Sequence, residues 1–165
     1  MSAAPDTLDA MLKRLNLANA RRIWPQLVVR AEDESWSYSR FLEVLIGEEV
    51  AHRQGTRLQR CTAQAKFPFL KTIDDFDFSL QSQLRLALLG SYLGADFVAD
   101  GRNLILYGRS GRGKTHLAVA IAYRAIQNGF DALFTTAAAL IDDLSMAGRQ
   151  GRFQEVLHRY TRVHV

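Results

Sequence analysis

Gly108-Arg109-Ser110-Gly111-Arg112-Gly113-Lys114-Thr115 decides how the rest of this chain is read. The octapeptide satisfies G-x-x-x-x-G-K-[ST] at every fixed position. Glycines at these intervals let the backbone fold into a nest whose N–H groups point at phosphate oxygens. A helix opening at the lysine adds the positive end of its dipole. In such a loop Lys114 reaches the β- and γ-phosphates, and the Thr115 hydroxyl ligates a nucleotide-bound magnesium ion. The candidate nucleotide-binding residues are therefore Gly108, Arg109, Ser110, Gly111, Arg112, Gly113, Lys114 and Thr115. Arg109 and Arg112 occupy unconstrained positions, where they either raise the local positive potential or stay solvated. His116, just inside the helix, reads as a packing residue.

The flanks give the loop its context. Leu104-Ile105-Leu106-Tyr107 is a short apolar run of the kind expected for a strand covered on both faces. After the loop, Leu117, Ile121 and Ala125 recur at helical spacing, and Gly129 is placed to cap that helix. Ala132-Leu133-Phe134-Thr135 reads as a second strand, with Thr136 capping a helix through Leu140, Ile141 and Leu144. Phe153 to Tyr160 reads as helical, and Val163-His164-Val165 as the opening of a third strand. This order predicts an α/β fold with a parallel sheet.

Upstream the pattern is helical. Leu8, Met11, Leu12 and Leu15 recur near helical spacing behind Thr7, a predicted N-cap. A second helix is expected over residues 19–31, with Pro25 where it would break an interior turn. Residues 32–35 read as a connector, and Ser37 as the cap of a long helix striped by Phe41, Leu42, Leu45, Ile46 and Val50. Farther along that helix Arg53, Arg57 and Arg60 fall at i, i+4 and i+7, with Lys66 beyond them. Between Leu12 and Thr72 there are eleven basic and six acidic residues, an excess that suits a polyanion such as duplex DNA and equally suits a solvated surface. Phe67, Phe69, Phe76 and Phe78 mark a linker whose rings dock on the next domain. Residues 79–93 then read as a helix stopped by Gly90 or Gly94. The resulting division is a small, basic, all-helical domain over 1–66, a linker over 67–80 and a nucleotide-binding domain over 81–165.

Composition sets outer bounds. The chain has 165 residues, a net charge of +4 and a single cysteine, Cys61. That excludes an internal disulfide or a zinc site built on several thiolates. No stretch approaches the roughly 20 apolar residues of a membrane helix, and the N-terminus lacks the pattern of a secretory signal. A reduced, cytoplasmic setting is expected.

Asn103 to Gly108 and Gly113-Lys114-Thr115-His116-Leu117-Ala118 together resemble the AAA+ helper ATPases of insertion sequences, the IstB-like family, which is related to DnaC-like loaders of replicative helicases. Phe67-Pro68, Lys71-Thr72 and Phe76-Asp77-Phe78 look like that family's junction between helical and ATPase domains. Gly129-Phe130 and Leu133 to Ala137 look like its second strand and helix cap, and the segment from Arg53 to Lys66 falls at its arginine-rich helix. The resemblance implies an incomplete P-loop (AAA+) sheet and the cofactors ATP and magnesium. It also implies a DNA-binding, oligomer-forming helper of a transposase, with Phe97 and Val98 as adenine contacts. Hydrolysis in such proteins needs a strand ending in acids, a polar sensor and a neighbour's arginine. The chain stops where the acidic strand is expected, so a truncated form is anticipated, one that binds ATP without turning it over. Asp142 and Asp143 do not substitute, because they fall on a predicted helix. A helicase-loader fragment acting through protein contacts and a non-functional remnant of a mobile element are the competing readings.

Overall fold

Thr7 caps the first helix as its side chain predicts. Its hydroxyl accepts from the Ala10 amide at 3.4 Å, opening α1 (Leu8–Arg14). The computed structural model describes residues 7–80 and 86–165, and these divide into two compact units, Met1–Arg57 and Leu58–Val165. In sequence order the helices are α1, α2 (Ala18–Asp33), α3 (Tyr38–Gln64), a 3-10 turn (Phe78–Leu80), α4 (Leu86–Leu93), α5 (Ala95–Ala99), α6 (Lys114–Gln127), α7 (Ala137–Arg149) and α8 (Phe153–Thr161).

The first unit is a helical assembly in which α1 packs on α2. Its buried apolar residues are Leu12, Ala20 and Leu45. Pro25 does not break the second helix, which runs straight through it. The proline removes the N–H that would bond the Arg21 carbonyl, at a cost on the order of 3 kcal/mol. The start of α2 is fastened to α3, whose Glu49 carboxylate accepts from the Ala20 amide. Ser37 caps α3 as expected, accepting from the Arg40 amide at 3.2 Å. The inward face of α3 is Phe41, Leu45 and Glu49, whereas Leu42, Ile46 and Val50 from the predicted stripe are exposed. Only part of the apolar stripe is covered, and the row of Leu42, Ile46 and Val50 is left toward solvent.

The second unit is organised on α6, which buries Leu117, Val119, Ala120, Ile121, Ala122, Ala125 and Ile126. One cluster joins Ala122 and Ile126 to Cys61, Ala65 and Ala132, with Leu58 and Phe67 packed against them. A second joins Leu117 and Ala120 to Ile73, Phe76 and Leu89. The aromatic linker thus docks its rings, although Phe69 remains exposed. Gly90 lies inside α4, and the break comes at Gly94, the N-cap of α5. The predicted helix positions from 81 to 85, Leu84 among them, lie outside the described residues.

The parallel sheet expected from the sequence is absent: no strand or sheet occurs among the described residues. Two of the three apolar runs are irregular connectors between helices, and the third, residues 163–165, is irregular chain after α8. A run covered on both faces buries every residue, but Ile105 and Tyr107 are 88% and 98% exposed while only Leu104 and Leu106 turn inward. Apolar, β-branched residues supply a tendency; pairing is what makes a strand. The nearest approach to pairing is between the other two runs. Leu133 N–H donates to the Val165 carbonyl at 2.8 Å, and Val165 N–H donates to the Asp131 carbonyl at 3.2 Å. Phe134 N–H is taken by the Ala65 carbonyl, just past the end of α3. One such pair of bonds is not a ladder, so the α/β assignment is replaced by a helical one.

The helix ends follow the sequence closely. Gly129 (φ 100°) terminates α6 in a left-handed conformation, with Phe130 N–H returning to Ala125 and Gly129 N–H to Ile126. Thr136 caps α7, accepting from the Ala139 amide at 3.1 Å.

Candidate nucleotide-binding site

The loop between residues 108 and 113 is shaped by its glycines. Gly111 and Gly113 adopt φ of 75° and 79°, a region other residues enter only at a cost of about 1–2 kcal/mol. Gly113 is also the N-cap of α6, and no side chain caps that end of the helix. The first-turn amides of α6 therefore have no side-chain partner of their own. Lys114 folds back over the loop, its Nζ donating to the Arg109 carbonyl at 2.8 Å. The ammonium is thereby held beside the loop backbone, where a phosphate oxygen could take the place of that carbonyl. Thr115 is exposed on the first turn. The loop holds no carboxylate, and a phosphate group placed there would face backbone amides, the α6 dipole and one lysine. Among the described residues there is no cluster of three side chains that could hold a metal ion.

Linker residues close the loop from behind. Phe76 packs directly against Gly113, and its ring is edge-on to His116 at 5.2 Å. His116 Nε2 lies 2.9 Å from the Thr72 carbonyl, so this histidine serves packing and a backbone contact, as its position predicted. Asp75 accepts from the Thr72 amide and hydroxyl at 2.8 and 2.9 Å; those bonds hold its carboxyl below its ordinary value.

The remaining predicted residues lie elsewhere. Phe97 is buried and Val98 half-buried; both line a cavity of about 410 Å³ with Leu104, Leu106 and Ile121, and no residue from Gly108 to Thr115 lines it. Phe97 also stands edge-on to Tyr92 at 5.3 Å, under the Arg102 guanidinium. Arg53 belongs to the first unit, where its Nε contacts Glu49 at 2.7 Å and a guanidinium N–H reaches the Asn16 carbonyl. Arg57 is half-buried at that unit's last position, whereas Arg60 and Lys66 are exposed in the second unit. Asp143 lies on α7 and accepts from Tyr160 and Arg159, which hold its carboxyl below its usual range.

Two residues escaped the sequence reading. Glu49 is 3% exposed, the only acid on the inward face of α3, and its Oε2 accepts from the Ala20 amide at 2.8 Å. Its signal was a carboxylate continuing the spacing of Phe41 and Leu45. Phe76 was read as linker packing, and nothing in the sequence paired it with Gly113.

A match to the family described as IstB-like ATP binding protein covers residues 10–165. The chain belongs to the IstB-like ATP-binding family. This IstB-like chain is 34% identical over 91% of its length to an insertion-sequence ATP-binding protein of Sinorhizobium fredii, and the alignment covers 51% of that protein. It is 32% identical to one of Geobacillus stearothermophilus (90% of this chain, 59% of the relative) and 30% identical to one of Pseudomonas aeruginosa (94% and 60%). The chain thus spans between half and three-fifths of the length of these curated relatives. Among the described residues of the IstB-like chain, no helix is long and apolar enough to cross a membrane.

Proposed function

We propose that this chain holds magnesium-bound ATP in the Gly108–Thr115 loop and serves as part of a transposition helper that engages duplex DNA beside its transposase. The observation that carries the nucleotide reading is the glycine-shaped loop, with Lys114 folded onto it and the uncapped start of α6 behind it. Bound ATP would supply the phosphate charge that this loop is built to receive, and Thr115 would share its magnesium. The cavity lined by Phe97 and Val98 is the proposed seat of the base. The insertion-sequence names of the relatives support the transposition setting. Assembly into an oligomer, contact with the transposase and a cytoplasmic location belong to the same proposal.

Titration of a fluorescent ATP analogue tests the loop. Lys114→Ala should weaken binding roughly 10- to 100-fold, the range for losing one charge-assisted contact. Equal affinity in the two proteins would reject the assignment.

The DNA reading rests on the basic excess between Leu12 and Thr72, eleven basic residues against six acids. Arg60 and Lys66 are the residues to change, because Arg53 also supports Glu49. Phosphate contacts position a protein without reading bases. The folded Arg60→Ala, Lys66→Ala double variant should therefore bind all duplexes more weakly and show a flatter salt dependence. Unchanged binding at low salt would leave these side chains simply solvated.

A further inference from the structure

The helix that carries Lys114 begins against an aromatic ring. A Cβ built on Gly113 would lie 2.6 Å from Cε2 and 3.3 Å from Cζ of Phe76, so the ring rests on the bare face of the last loop glycine. Phe76 is held there firmly. It is 9% exposed within the cluster of Ile73, Leu89, Leu117 and Ala120, and Phe78 meets its ring edge-on at 4.9 Å. A second tie lies beside it. The Thr72 carbonyl contacts His116 on the first turn of α6, while the Thr72–Asp75 bonds and the Phe76 N–H bond to Ile73 (3.2 Å) close residues 72–76 into a turn. The turn thus grips the loop's last glycine and the helix's first turn, and Phe76 acts from the side of Gly113 that the ring covers.

Gly113 needs φ near 79° for the loop to curve into α6. A glycine on its own visits many other conformations. A ring packed on its Cα removes part of that freedom before any ligand arrives, and preorganisation of this kind raises affinity.

We infer that Phe76 is a positioning residue for the phosphate loop, and that docking of the 72–78 turn and binding of a triphosphate favour each other. The inference rests on the loop being the ATP site. Coupling between two events is reciprocal. If the docked turn stabilises the closed loop, phosphate in the loop must stabilise the docked turn.

Amide hydrogen exchange on the wild-type chain, with and without magnesium-ATP, measures this directly. ATP should slow exchange both in residues 108–116 and in residues 72–78, and Lys114→Ala should abolish both effects. Phe76→Leu keeps apolar bulk but loses the flat ring; with its fold verified by circular dichroism, it should bind ATP roughly 5- to 10-fold more weakly. Its 72–78 segment should gain less protection from ATP than the wild type's. Protection of 108–116 with unchanged exchange in 72–78 overturns the coupling, and so does wild-type affinity in the folded Phe76→Leu protein. No protection in 108–116 would instead remove the ATP site, and the inference with it. Should Phe76→Leu fail to fold, the wild-type exchange pattern decides alone.

Discussion

Two helix N-termini in this chain meet the same electrostatic problem and solve it in opposite ways. At the start of α2 no local side chain caps the amides, and Glu49 reaches across from α3 to accept from Ala20, while the Asn19 side chain donates to the Glu48 carbonyl. At the start of α6 the amides again lack a side-chain cap, but the preceding glycines fold into a nest and a lysine hangs over it. One terminus carries a buried internal anion; the other is the one proposed to take an anion from outside. A helix N-terminus therefore does not define a ligand site by itself. What distinguishes them is whether the protein supplies its own carboxylate.

Glu49→Ala should break this comparison most severely. It removes the anion from the α2 terminus and leaves Arg53 without its carboxylate. Arg53 is half exposed, so no charge is stranded in the interior; the main loss is the acceptor of the buried Ala20 amide, toward the upper end of about 1–3 kcal/mol by urea unfolding. A change below about 1 kcal/mol would show that the carboxylate does not cap α2.

Acid removes the same charge more gently. Burial pushes the Glu49 carboxyl up, but hydrogen bonds from Ala20, Arg53 and Asn19 outweigh it and hold it below the ordinary 4.5. A group depressed in the folded state contributes stability above its unfolded value and loses it as pH falls through the folded one. Stability of the wild type should therefore decline once pH drops below about 4.5, and Glu49→Gln should decline less over that interval. Urea midpoints taken through this range for both proteins provide the check. Parallel pH profiles would assign the acid sensitivity to other carboxylates.

Gly113→Ala tests the open terminus. The new Cβ meets Phe76 and must adopt a positive φ, at a cost of about 1–3 kcal/mol. ATP affinity should fall together with stability. Adding Phe76→Ala should relieve only the collision, not the backbone strain. Wild-type affinity in Gly113→Ala would mean the loop tolerates other shapes.

Thr136→Ala serves as the ordinary reference, a cap made within one turn of sequence. It should cost about 1 kcal/mol in urea unfolding and leave ATP binding unchanged. A loss of affinity there would tie α7 to the loop.

The sequence alone determined the parts whose cause is local. The left-handed glycines at 111 and 113, the caps at Thr7, Ser37 and Thr136 and the left-handed stop at Gly129 each depend on residues a few positions apart. In these cases side-chain chemistry and backbone freedom fix the outcome before any long-range contact forms. The family resemblance rested on the same local signals, and the match over residues 10–165 bears it out. Tertiary structure decided everything that needed a distant partner. Leu104 to Tyr107 had the composition of a strand, but a strand exists only when another segment takes its amides and carbonyls, and among the described residues none forms that ladder with it. Packing likewise chose Phe41, Leu45 and Glu49 over Leu42, Ile46 and Val50, and set Phe76 on Gly113. The physical reason is the same throughout: a periodic sequence shows which faces a segment offers, while burial and hydrogen bonding from elsewhere in the chain determine which of those faces is used.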